Sequence, residues 1–171
     1  MIDEELRIQE ERTRPQKINQ AAFTRTIGEI CEKPANTMDE SGSIGEAIRL
    51  MQDKRVGNVV ITRDGKLRGI VTERDLLMKV AGKIEDAELR PVTDIMTVDP
   101  EWLRKGDTIA YLLNKMYVGR YRHMPILDED QRPLHTVSLR YLLQYIISYL
   151  PEDVINMPPE PFRGESSRYG G

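Results

Sequence analysis

The chain has 171 residues, of which 39% are hydrophobic and 31% charged, with a net charge of −3. That length admits one domain or two small ones with a real core, and the acidic balance argues against a broad nucleic-acid surface. One cysteine, Cys31, excludes an internal disulfide, two histidines beside it are too few for a typical structural zinc site, and no apolar run approaches the roughly 20 residues that cross a bilayer.

Residues 1–21 form a charged extension that opens MIDEELRIQEERTR. It lacks the apolar stretch of a signal peptide, so a cytoplasmic location is expected, and the Glu/Arg spacing around Leu6 permits a helix. Beyond it the chain repeats itself. Ile27-Gly28-Glu29-Ile30 matches Val92-Thr93-Asp94-Ile95, and at that offset Ile44 falls on Ile109, Met51 on Met116 and Ile61 on Ile126. One extra residue in a second hairpin then sets Val71 on Val137, Leu76 on Leu142 and Leu77 on Leu143.

Each copy, residues 22–80 and 92–150, predicts the same elements. Ile44, Ala47, Ile48 and Met51 recur at i, i+3, i+4, i+7, as do Ile109, Leu112, Leu113 and Met116, so each set lies on one helical face. Ser43 with Glu46 is a capping-box signature, and Asp107 or Thr108 is placed to cap the second helix. Strands follow at Asn58 to Thr62 and Met124 to Leu127, and return at Leu67 to Val71 and Leu134 to Val137. Asp64-Gly65 predicts a tight turn in the first hairpin, whereas Asp128 to Pro133 makes a longer one. Pro125 within its strand predicts an edge or a strand start.

A second helix closes each copy, through Leu76, Leu77 and Val80 or through Leu142, Leu143, Ile146, Ile147 and Leu150. Its stripe of Tyr141, Tyr145 and Tyr149 suits either a helix-to-helix dimer contact or the flank of the core. Residues 81–91 link the copies, and 151–171, rich in Pro, Gly and Ser, predict a disordered tail. One unit of about 55 residues buries little by itself. The expected fold is therefore α/β (α+β), two small sheets each packed on two helices, related by a pseudo-twofold axis and behaving as one globule.

VGNVVITRDGKLRGIVTERDLL (Val56–Leu77), VTDIMTVDP (Val92–Pro100) and YRHMPILDED (Tyr121–Asp130) together resemble the CBS domain, named after cystathionine β-synthase. The resemblance spans about residues 26–150 and fits a tandem pair, or Bateman module. It implies a regulatory binding module, often dimeric, that takes adenosine-containing ligands (AMP, ADP, ATP or S-adenosylmethionine) in clefts between its repeats. No catalytic domain is expected in the chain, so its output is expected to act in trans on a partner protein.

The resemblance also assigns a nucleotide site. Asp75 matches the ribose-binding aspartate, Thr72 the hydroxyl of the same motif, Ile70 an apolar side chain beside adenine, and Gly69 a close backbone approach. Arg122 and His123 match a basic pair that reaches across to phosphate, and Arg140 matches another phosphate contact. Three departures stand against this pattern: Gly57 replaces an arginine, Tyr141 the second repeat's aspartate and His135 its glycine. One working site near Asp75 is therefore expected, with an empty or altered one near Tyr141.

Read without the resemblance, Thr72-x-x-Asp75 is first of all a helix cap, a role that can coexist with ligand binding. No nucleophile–base pair, P-loop or Cys-x-x-Cys motif points to an enzyme, and no metal site is expected. The rival readings are a ligand-free scaffold and, more weakly, a nucleic-acid binder using Arg120, Arg122, His123 and Arg140.

Overall fold

The computed structural model describes residues 20–31 and 33–150. The disordered tail expected at 151–171, and all but the last two residues of the charged extension 1–21, lie outside the described residues. A one-turn helix α1 (Ala21–Thr24) opens the described chain. The first repeat then runs β1 (Thr37–Asp39), α2 (Ile44–Lys54), β2 (Asn58–Arg63), β3 (Lys66–Thr72) and α3 (Glu73–Asp75), which continues as a π-helical turn over Leu76–Val80. After the linker come β4 (Thr97–Val98), β5 (Leu103–Arg104), α4 (Ile109–Gly119), β6 (His123–Leu127), β7 (Pro133–Ser138) and α5 (Leu139–Ile147).

Local chemistry fixes these boundaries. The Ser43 hydroxyl accepts the Glu46 N–H while the Glu46 carboxylate accepts the Ser43 N–H, which closes the capping box that starts α2. Of the two candidates for α4, Thr108 is the cap: its hydroxyl accepts the Tyr111 N–H. Both helices end on an arginine in the left-handed region, Arg55 at φ 52° and Arg120 at φ 55°, a pseudo-symmetric pair. Asp64 and Gly65 both take positive φ, 53° and 76°, the signature of a two-residue type I′ hairpin.

Sheet order is β1-β2-β3-β4 in the first sheet and β5-β6-β7 in the second. In each, a short leading strand runs parallel to the first hairpin strand, and the hairpin carries an irregularity at the matching step, Ile61/Thr62 or Ile126/Leu127. Pro125 sits in the central strand of its sheet rather than at an edge. It is tolerated because β5 faces only Ile126 and Leu127, so Pro125 is paired on the β7 side alone, with Thr136.

The repeats exchange their leading segments. Ile27 and Ile30, at the start of the first repeat, pack into the core of the second with Leu103, Ile109, Met124 and Leu142. Val92, Ile95 and Met96, at the start of the second repeat, pack into the core of the first with Ile44, Val59, Ile61 and Val71. Backbone bonds secure both exchanges: Ile27 N–H to Asp107 O (2.8 Å) and Ile109 N–H to Arg25 O (3.0 Å), and Ile44 N–H to Arg90 O (2.8 Å) and Val92 N–H to Gly42 O (3.0 Å). Strand β4 completes the exchange by pairing Gly69 with Val98 and Ile70 with Thr97.

Alternation along β2 and β3 turns Val60 and Ile70 away from that core, yet both stay buried. Leu67 N–H donates to Gln131 O at 2.9 Å, and Ala35 N–H to Leu134 O at 3.0 Å, tying first-repeat backbone to the second hairpin. Leu77 and Leu143, expected in the second helices' apolar faces, are instead 68% and 47% exposed, because Leu76 and Leu142 beside them take the core positions.

Because the cores are exchanged, Ile95→Ala should damage the first repeat, although the residue belongs to the second. Its side chain is 1% exposed, so truncation should cost about 2–5 kcal/mol in denaturant unfolding. Hydrogen exchange should show the loss first at Val59, Ile61 and Val71. Protection lost first in β6 and β7 would contradict the exchange.

Candidate functional site

Asp75 stands at the end of the short helix that leaves β3. One carboxylate oxygen, Oδ2, accepts the Thr72 N–H at 2.9 Å and the Thr72 hydroxyl at 2.6 Å, while the Asp75 N–H donates to the Thr72 Oγ1 at 3.3 Å. This is a complete capping box. The other oxygen, Oδ1, lies 2.8 Å from the Lys79 ammonium, which also donates to the Ile95 carbonyl at 2.6 Å. The Asp75 side chain is 13% exposed. Neither Lys79 nor its link to Ile95 is visible in the Thr-x-x-Asp motif. The one local signal is the i,i+4 spacing of Asp75 and Lys79.

The other motif residues divide by location. Ile70 is buried in β3 between Val60 and Thr97. The open side of Gly69 is filled by the protein itself: an added Cβ would fall 2.6 Å from the Met96 sulfur and 3.0 Å from the Thr97 carbonyl. The close approach that Gly69 permits in this structure is thus to the exchanged segment. Gly57 is crowded by the Glu73 carboxylate, 3.1 Å from where its Cβ would be.

His123 begins β6 and Arg122 immediately precedes it, and the Arg122 carbonyl accepts the Leu139 N–H at 2.8 Å. The first repeat repeats this bond between the Gly57 carbonyl and the Glu73 N–H at 3.1 Å, so Gly57 and Arg122 occupy equivalent places. Arg140 lies in the first turn of α5. Arg122 and Arg140 are exposed and form no ion pair with any described residue.

Burial, with help from the Arg122 charge, pushes the His123 pKa below its ordinary 6.5, and the opposing pull comes from Glu73 of the first repeat. Glu73 at the start of α3 therefore lies near enough to the start of β6 to act on His123. His123 is neutral at pH 7. Among the described residues no group of three or more His, Cys, Asp or Glu side chains can hold a metal ion.

The equivalent place in the second repeat is built differently. Where Asp75 stands in the first repeat, the Tyr141 hydroxyl donates to the Ile30 carbonyl. His135 Nδ1 donates to the Lys33 carbonyl at 2.7 Å. Tyr145 donates to the Ala22 carbonyl at 3.1 Å, and the Arg25 guanidinium donates to the Tyr149 hydroxyl at 3.0 Å. All three tyrosines of the stripe thus grip the leading segment of the first repeat.

The molecule is a pseudo-symmetric pair of repeats with mutually completed cores and unlike groups, Asp75 and Tyr141, at equivalent places. Comparison with known proteins gives the class its name. The family model described as the CBS domain matches residues 27–82 and 92–148, and the chain belongs to that family. It is 33% identical over 138 residues to an Arabidopsis thaliana CBS domain-containing protein, CBSCBSPB3, covering 74% of this chain and 25% of that protein.

The chain thus spans about a quarter of the length of that curated relative. Among solved structures, a CBS domain protein of Pyrobaculum aerophilum complexed with AMP shares the fold at a TM-score of 0.64 and 22% identity, covering 72% of this chain and 98% of that one. The CBS domain pair of protein MJ0100, in complex with 5′-methylthioadenosine and S-adenosyl-L-methionine, does so at 0.67 and 20%, covering 74% and 99%.

A histidine whose folded pKa lies below its unfolded value contributes stability that is complete above the unfolded pKa and lost as pH falls through the folded one. The melting temperature should therefore drop as pH is lowered from 7 toward 5. His123→Gln should flatten part of that slope, and an identical slope in the variant would show that His123 is not its source.

Proposed function

We propose that the pair is a regulatory adenine-nucleotide sensor that passes its ligand state to a partner protein. The observation that carries this reading is the direct seam between the repeats beside β3, with Leu67 N–H donating to Gln131 O at 2.9 Å and Ala35 N–H to Leu134 O at 3.0 Å. In this reading the second repeat's basic groups face the first repeat's Thr72–Asp75 motif, and the pull of Glu73 on His123 supports that placement. A carboxylate accepts hydrogen bonds from both ribose hydroxyls, and guanidiniums suit phosphate oxygens. Gly69, Ile70, Thr72 and Asp75 supply one wall of the proposed site, and Arg122, His123 and Arg140 the other.

The AMP and S-adenosylmethionine complexes of same-fold neighbours support an adenosine-containing ligand, with AMP, ADP, ATP and S-adenosylmethionine as candidates. Binding by groups of both repeats acts by population shift, since such a ligand favours arrangements that keep the repeats close. The role is regulatory rather than catalytic, and the cell compartment in this reading is the cytoplasm.

A second reading, a ligand-free scaffold, is favoured by one specific feature. Both Asp75 oxygens already serve the fold, and Tyr141 and His135 fill equivalent positions of the other cleft with bonds to the chain itself.

Calorimetric titration separates the two. The chain should bind at least one of the four candidates. Asp75→Asn, which retains a capping oxygen but loses the charge, should weaken that binding by about 10–100-fold. Loss of one guanidinium, Arg122→Gln or Arg140→Gln, should weaken ATP and AMP more than adenosine. No heat with any of the four selects the scaffold.

The proposed homodimer forms through the second helices, where Leu77 and Met78 of one repeat and Leu143 and Ile147 of the other leave 68%, 58%, 47% and 47% of their surface exposed. Light scattering at tens of micromolar should give twice the chain mass, and Leu77→Glu with Leu143→Glu should return it to the monomer. A monomer mass for the unaltered chain refutes the dimer.

A further inference from the structure

The Lys79 side chain touches both the Asp75 carboxylate and the exchanged segment of the second repeat. An ionised carboxylate offers about four lone-pair positions. In Asp75 the Thr72 N–H and hydroxyl take Oδ2, and the Lys79 ammonium takes one position on Oδ1. One position remains. A ligand offering a single hydroxyl can use it without disturbing anything. A vicinal diol, with two hydroxyls aimed at one carboxylate, needs a second position, and one protein donor must leave.

The donor that leaves is decided by what each one holds. The Thr72 bonds start the helix, and the Thr72 hydroxyl is itself the cap of Asp75 N–H. Lys79 is reached through four flexible methylenes, and its side chain is 42% exposed, so its ammonium has water to move into. Its second bond then matters. The Ile95 carbonyl, on a residue 1% exposed, has Lys79 as its donor. In the second repeat the equivalent Ile30 carbonyl takes the neutral Tyr141 hydroxyl directly.

We propose that Lys79 is a specificity-determining residue that competes with a ribose for Asp75, so that a vicinal diol displaces it and a single hydroxyl does not. Displacement loosens the Lys79–Ile95 bond and with it the segment Val92–Val98 that the second repeat lends to the first. The proposal rests on the nucleotide-sensing reading, whose failure has its own readout below.

The test compares AMP with 2′-deoxy-AMP, by calorimetry, in the unaltered chain, Lys79→Met and Lys79→Arg. Methionine keeps the stem and removes the competing charge. In Lys79→Met the AMP affinity should rise about two- to five-fold, the scale of a partly exposed ion pair, while that of 2′-deoxy-AMP stays unchanged. Lys79→Arg should restore the AMP affinity of the unaltered chain. AMP should also speed amide exchange over residues 92–98 in the unaltered chain and leave it unmoved in Lys79→Met, which should exchange fast with or without AMP.

A structural role alone changes both ligands alike, or weakens both, and that result overturns the proposal. So does unchanged or slower exchange over 92–98 when AMP binds the unaltered chain. If the unaltered chain binds neither nucleotide, the sensing reading itself falls and the competition falls with it. Thermal melts identify any variant that does not fold, and should Lys79→Met fail, Lys79→Gln, which also removes the charge, carries the comparison with the same expected outcomes.

Discussion

Each repeat presents an apolar slot that its own residues do not fill. The slot in the second repeat is closed by Ile27 and Ile30, and the slot in the first by Val92, Ile95 and Met96. Buried aliphatic side chains of this size each contribute about 1.5–3 kcal/mol relative to exposure, which is a large part of what a small repeat can gather. Neither repeat can therefore release its borrowed segment without opening its own core. The exchange also fixes where clefts form, because it holds the non-core faces of the two sheets against one another, with Val60 and Ile70 buried there.

The two borrowed segments are anchored by the same carbonyl through different chemistry. Ile30 is held by a neutral phenol, and Ile95 by an ammonium that is itself held by a carboxylate. A partly buried ion pair costs desolvation and returns little net stability. The phenol does the anchoring with fewer charges, so stability alone does not account for an aspartate and a lysine in the first repeat. A charged anchor differs in one property: other donors can compete for its carboxylate. The asymmetry between Asp75 and Tyr141 is thus one between an exchangeable anchor and a fixed one.

Periodicity and turn chemistry made the elements legible in the sequence. The i, i+3, i+4, i+7 sets mark α2 and α4, and Asp64-Gly65 marks the hairpin, because these are local preferences that the fold does not override. The match of Ile27–Ile30 with Val92–Ile95 also stands in the sequence, but the core each segment enters does not. Both cores are built from aliphatic residues, and an apolar pattern carries no address. For the same reason the tyrosine stripe was open between a dimer contact and a core flank, whereas its hydroxyls serve the leading segment of the first repeat. Pro125 misled by being central in its sheet, since the two-residue length of β5 cannot be read from residue types. Of the site, the Thr72–Asp75 motif was visible and the Lys79 link was not, because its second partner is a backbone carbonyl, which every residue has.

Asp75 therefore has three demands on one carboxylate: the helix start, the Lys79 ammonium and, in the sensing reading, a ribose. The cap alone does not explain it, since Ser138 starts α5 by accepting the Tyr141 N–H with no carboxylate three residues on. The anchor alone does not explain it either, since Tyr141 anchors Ile30 without one. What remains peculiar to an aspartate at this place is its negative charge, which in the sensing reading faces Arg122 and Arg140, both without an ion-pair partner among the described residues. A ligand neutral at one end and anionic at the other satisfies that arrangement: hydroxyls for the carboxylate, phosphate for the guanidiniums. Were the ligand anionic throughout, the carboxylate would repel it, and were it neutral throughout, the arginines would have nothing to hold.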